Sequence, residues 1–186
     1  ERMSESVEQA MRSIMVIVGS DSDLSQCGAG LELLQEFEAR GIVSVICVYT
    51  TSVHRNTEAL FEVLKEIHVG QDVDVIIAGA GWAAHLPGMT DAYLRYTLAN
   101  TRTVVVGVAF EDVSNEQHTK AAQLSISEVP GTQVVYRDQA GQFVGEEGFR
   151  RACILAAQGG LPRLQHPQPR LEQARSIFEV LSIFCR

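Results

Sequence analysis

Val73-Asp74-Val75-Ile76-Ile77-Ala78-Gly79-Ala80-Gly81-Trp82-Ala83-Ala84-His85-Leu86-Pro87-Gly88-Met89 passes without a break from an apolar run to small residues and then to a helix start. A continuous Val/Ile run is what a parallel strand buried on both faces requires. The small residues that follow let the backbone come close to a ligand. Pro87 is compatible with a first helical turn, where its missing N–H would have no partner. A strand that empties into glycines and then a helix is the repeating unit of an open parallel sheet, and such sheets bind ligands at these exits. His85 stands at the mouth of this one.

Two further strand ends repeat the logic. Gly19-Ser20-Asp21-Ser22-Asp23 follows the apolar run 14–18, and Ser52-Val53-His54-Arg55 follows the run 43–49. Ser, Asp, His and Arg at three such ends predict one site assembled from three loops. Helical spacing of apolar residues predicts helices over 24–39, 58–67, 85–98, 119–127 and 148–158. A fourth strand is predicted over 103–109 and a fifth over 133–136, with a turn over 138–142 and a return at 143–144. The stretch 159–169 holds three of the five prolines and reads as a linker. A last helix over 171–184 carries an apolar stripe (Ile177, Val180, Leu181, Phe184), which suits either a neighbouring subunit or the chain's own core. Alternating strands and helices imply an α/β fold with a parallel sheet covered on both faces.

The 186 residues fit one domain, and 46% hydrophobic residues suffice for a sizeable core. A net charge of −8 argues against a nucleic-acid partner, although a helix N-terminus can still hold a single phosphate. Cys27, Cys47, Cys153 and Cys185 form no CxxC pair, so neither a zinc knuckle nor a thioredoxin-like motif is indicated. No apolar run reaches the ~18 residues of a membrane span. The polar opening does not read as a signal peptide. The expected organisation is a flexible lead-in over 1–13, an α/β domain over 14–158, and an arm with a C-terminal helix over 159–186. The expected compartment is the cytoplasm.

Each motif has a second reading. Ser20 and Ser22 suit phosphate oxygens and Asp23 suits ribose hydroxyls, yet Ser22 or Asp23 also suits a plain helix N-cap. His54 and Arg55 pair a group that titrates near neutrality with a bidentate anion binder, or form a solvated loop pair. His85 is a second ring at the site, or a helix-start residue packed by Leu86 and Trp82. His68, His118 and His166 read as surface residues. No third ligand stands at metal spacing beside His54 and His85. The first strand–helix turn lacks G-x-G-x-x-G, and no serine sits in a G-x-S-x-G elbow.

Gly19–Asp23, Ser52–Arg55 and Gly81–Met89, taken together and in this order, resemble the N5-carboxyaminoimidazole ribonucleotide mutase family of purine biosynthesis. The resemblance covers roughly residues 14 to 158 and is strongest before residue 90. It implies a flavodoxin-like three-layer sandwich and a homo-oligomer, an octamer in the family. The implied substrate is a small ribonucleotide, with CO2 as intermediate and neither metal nor organic cofactor. Carried over, Ser20, Asp23 and Arg55 bind substrate and His54 transfers protons. His85 matches the histidine of the third motif. Ser52, Gly79, Gly81 and Ala83 join the binding set as pocket wall. Arg55 favours the mutase type, since carboxylase-type relatives tend to have Lys there.

This chain also departs from the family pattern. Trp82 replaces a small Gly. The segment from Phe110 to His118 replaces a Ser- and Gly-containing loop, and Arg150-Arg151-Ala152 replaces Asn-Ala-Ala. Residues 90–101 and 137–147 look longer. These changes leave open a direct carboxylase, a divergent paralogue acting on another nucleotide-like carboxylate, and a non-catalytic binding module. For a true mutase the Trp82 indole is expected to turn out of the pocket, and for a paralogue to intrude.

Overall fold

A computed structural model describes residues 11–168 and 172–184. Four parallel strands make one sheet in the order β2-β1-β3-β4: β1 (Arg12–Val18), β2 (Val43–Thr50), β3 (Val75–Ala80) and β4 (Val104–Ala109). The helices are α1 (Gly28–Ala39), α2 (Thr57–Gly70), α3 (His85–Ala92), α4 (Glu116–Ser127), α5 (Gly145–Gln158) and α6 (Ile177–Ile183). Between α4 and α5 a small hairpin pairs β5 (Arg137–Asp138) with β6 (Gly141–Gln142). No helix among the described residues is long and apolar enough to cross a membrane.

Strand residues alternate between two cores because successive side chains point to opposite faces. Ile14, Val16, Val18, Val75, Ile77, Val104 and Val106 meet Leu34 and Phe37 of α1 and Phe149, Ala152 and Cys153 of α5. Met15, Ile17, Ile76, Ala78 and Val105 meet Leu60 and Leu64 of α2, Leu86 of α3, and Ala122 and Ile126 of α4. The sheet is thus the middle of three layers, the flavodoxin-like sandwich expected. Burial on both faces explains why its inner strands read as unbroken apolar runs.

The elements depart from the sequence pattern in five places. β1 begins at Arg12, ahead of the apolar run, because the Arg12 guanidinium donates to the Ala156 carbonyl (3.1 Å) and the Ser13 N–H to Asp74 (2.9 Å). The helix predicted from residue 24 is preceded by a 3₁₀ turn, Asp21–Gln26, started by Ser20, and α1 opens only at Gly28. The helix predicted over 85–98 is α only to Ala92 and continues as a π turn, Tyr93–Thr97. The strand predicted over 133–136 is reduced to a single bridge, Val106 to Val135, and the sheet edge resumes at Ala109 with Val144. Side chains take the ladder's donors there: the Gln133 N–H goes to Asp91 (2.8 Å) and the Val134 N–H to Thr132 (3.2 Å). Finally, α6 covers only the second half of the stretch predicted over 171–184, opening on a capping box between Ser176 and Glu179; Leu171 lies outside the described residues.

Below the sheet, Arg95 is fully buried. Its Nε faces Asp91 at 3.1 Å, and its guanidinium donates to the carbonyls of Asn100 and Thr103. A buried guanidinium needs every one of these partners. They tie the π turn to the start of β4 and leave the opposite end of the sheet open.

Candidate active site

The open end gathers the three predicted loops. The Gly19 N–H donates to the Gly79 carbonyl (3.0 Å), the Thr51 N–H to Val18 (2.8 Å) and the Phe110 N–H to Ala80 (3.0 Å), so neighbouring strand exits are laced together. They border a cavity of about 540 Å³ whose lining includes Ser20, Asp23, Ser52, His54, Arg55, Gly81, Ala83 and His85. Eight of the nine residues singled out from the sequence therefore share one space. Gly79 does not: a Cβ there would lie 2.6 Å from the Phe110 ring. Its bareness makes room for an aromatic side chain behind the wall.

His54 Nε2 lies 2.8 Å from His85 Nδ1, with the rings edge to face at 5.0 Å between centroids. One ring therefore donates its N–H to the other's lone pair. The His54 loop is a tight turn in which the Asn56 N–H donates to the Ser52 carbonyl (2.8 Å) and the Thr57 hydroxyl to Val53 (2.5 Å). His54, Arg55 and His85 are all exposed to the cavity side of the surface. A titratable pair beside a guanidinium can pass a proton next to a bound anion.

The first loop reconciles its two readings. Ser20 caps the 3₁₀ turn, its Oγ accepting the Ser22 N–H at 3.4 Å, and it also faces the cavity, with the Ser22 Oγ at 2.9 Å. The expected cap at Ser22 or Asp23 thus falls on Ser20. The Asp23 carboxylate lies over two bare backbones, 3.5 Å from a Cβ built on Gly19 and 3.7 Å from one on Gly81. Burial raises its carboxyl from 3.8 to about 6, against a smaller opposing hydrogen bond from the Ser20 backbone. Behind it, burial and the Asp23 charge push the Cys27 thiol up to about 12, so it stays protonated and inert.

The sequence reading missed one cluster. His118, read as a surface residue, is half-buried at the rim, its Nδ1 2.7 Å from Asp112 and its Nε2 3.2 Å from Asn115. The Trp82 indole lies on it, centroids 3.9 Å apart and planes 23° off parallel. A second cavity of about 570 Å³, which includes Gln26, Glu111 and Asp112, shares Ser22, Asp23, Gly81 and Trp82 with the first. Asp112, Asn115 and His118 are neighbours in sequence, but Trp82 meets them from a separate βα loop, which no local spacing signals.

An open parallel sheet with a cavity at its strand exits, bordered by a histidine pair, an arginine and hydroxyls, is the arrangement of a small-molecule site. Comparison with known proteins narrows the class. The family model described as AIR carboxylase matches residues 13–160. The N5-carboxyaminoimidazole ribonucleotide mutase of Pyrococcus abyssi is 33% identical over 153 residues, which is 82% of this chain and 75% of that protein. The enzyme of the same name from Bacillus subtilis is 34% identical over 143 residues, 77% of this chain and 76% of its own. Among solved structures, Treponema denticola PurE superposes with a TM-score of 0.55 at 18% identity, over 78% of this chain and 77% of that one. The chain belongs to the AIR carboxylase family.

Proposed function

We propose that this chain is an N5-carboxyaminoimidazole ribonucleotide mutase of purine biosynthesis, moving a carboxylate from N5 to C4 by way of CO2. The observation that carries the reading is the 2.8 Å contact between His54 Nε2 and His85 Nδ1 inside a cavity lined by Ser20, Asp23 and Arg55. In this reading Arg55, Ser20 and Ser52 hold the phosphate, Asp23 accepts from a ribose hydroxyl, and Gly81 and Ala83 form the close wall beside the ring. The His54 imidazolium protonates N5. The N5–carboxylate carbon bond breaks, its electron pair returning with CO2 release to the neutral amine. The nucleophilic C4 then attacks the CO2 carbon, and neutral His54 takes the C4 proton, which restores the imidazolium. His85, against the other edge of His54, fixes its tautomer and shares the charge.

The decisive experiment supplies N5-carboxyaminoimidazole ribonucleotide without ATP and follows the C4-carboxylated product. Wild type is expected to interconvert the two. His54→Asn is expected to lose ~10²–10⁴-fold in rate while binding the nucleotide within a few-fold of wild type. Near-full activity in the Asn variant sinks the role given to His54. Turnover only from the uncarboxylated nucleotide and added CO2 would favour the direct carboxylase instead. Residues 14–158 form the ligand-binding unit in this proposal, working in the cytoplasm as a closed homo-oligomer, an octamer by resemblance.

A further inference from the structure

Trp82 stands in a backbone conformation, φ +55°, that side-chain-bearing residues seldom adopt. Its surface is 63% exposed, so burial does not explain an indole at this position. A strained aromatic at the lip of a site points to use of the ring itself. One face of the ring is taken by His118, and His118 is in turn held by Asp112 and Asn115. Asp112 is a strong acceptor for this purpose: hydrogen bonds from Ser114 and then His118 hold its carboxyl down at about 2. The accessible remainder of the indole borders both cavities.

We propose that Trp82 is a specificity-determining residue that stacks on the heterocycle of the bound nucleotide, with His118 as the positioning residue that backs its other face. The inference rests on the reading of the first cavity as a nucleotide site; the indole borders that cavity instead of turning out of it as expected for a true mutase, and its stack adds a base contact to the phosphate and ribose contacts given above. Aromatic stacking is tolerant of ring identity, so the platform suits a five-membered imidazole or a larger fused ring reaching towards Gln26 and Glu111. His118 restricts the indole to one plane, which lowers the cost of ordering it on binding.

The chain has a single tryptophan, so its emission reports on this ring alone. The experiment titrates wild type, Trp82→Gly, His118→Ala and His118→Phe with aminoimidazole ribonucleotide and, as a probe without a base, with ribose 5-phosphate. The nucleotide should quench wild-type emission and bind about ten-fold more weakly to Trp82→Gly, the scale of one aromatic–base stack. Ribose 5-phosphate should bind wild type and Trp82→Gly alike. His118→Ala should weaken only the nucleotide, and His118→Phe, which keeps a flat backing ring, should restore it. Glycine relieves the positive φ, so Trp82→Gly is expected to fold. Nucleotide affinity within two-fold of wild type in Trp82→Gly, or an equal loss for ribose 5-phosphate, overturns the proposal. Failure of both ligands to bind wild type overturns it together with the nucleotide site. Binding with the expected pattern but no carboxylate migration supports the stack and overturns the mutase reading alone.

Discussion

Asp23 carries the clearest pH signature of any residue at the site. Its carboxyl is raised to about 6 by burial over Gly19 and Gly81, so the folded chain holds that proton more tightly than the unfolded one. A group raised in this way stabilises the fold fully below its unfolded value of 3.8, and the increment is lost as pH rises through about 6. The ionised form is the one that accepts hydrogen bonds from a ribose, so affinity should move the other way. Nucleotide binding by wild type is therefore expected to strengthen as pH rises through about 6, while its resistance to urea falls over the same window. Asp23→Asn should flatten both curves. Parallel calorimetric and denaturation series across that window test it, and unchanged slopes in the variant would remove Asp23 from the site's electrostatics.

At the scale of elements, the site depends on how closely β3 can lie under the loop that follows β4. Gly79 lies against Phe110, which is buried, and Phe110 in turn stacks at an angle on Phe149 of α5, 6.1 Å between centroids. The same glycine's carbonyl accepts from Gly19, so one residue sets both the depth of the wall and the join to the first loop. Gly79→Ala would place a methyl 2.6 Å from ring atoms that are packed on their far side. Such overpacking costs ~1–3 kcal/mol. The urea midpoint should fall accordingly, with ligand affinity reduced as the displaced Phe110 disturbs the wall it backs. A midpoint matching wild type would mean that the ring has room to retreat.

At the scale of the whole molecule, α6 leaves an apolar surface uncovered. Ile177 and Phe178 are 80% and 82% exposed, and Leu181, Ile183 and Phe184 are exposed too. A surface of that kind calls for a cover, and copies of one chain most often supply it through closed symmetry. The chain is expected to form a closed oligomer in which this helix sits at an interface. Light scattering at micromolar concentration should give a mass above the monomer, and Phe178→Asp with Leu181→Asp should lower it. A monomeric wild type defeats the expectation.

The sequence alone determined the order of the four sheet strands and most helices, and which loops border the cavity. A parallel strand buried on both faces must be apolar along its length, and its exit must be small or polar, so the runs before Gly19, Ser52 and Gly79 were legible and the loops after them could be read as one pocket. Local chemistry likewise put His54 and Arg55 side by side on one of these loops. Where a residue's partner lies far along the chain, the pattern is silent. Gly79 reads like its neighbours Gly81 and Ala83, and only the Phe110 ring behind it shows that it serves packing. Residues 133–136 have strand-forming composition, but Asp91 and Thr132 claim the N–H groups of Gln133 and Val134 that a full ladder would use. Trp82 stands in the loop after β3, Asp112 in the loop after β4 and His118 in the first turn of α4, and no local spacing encodes the meeting of Trp82 with the other two. Tertiary structure decided these points because each depends on a contact between distant segments.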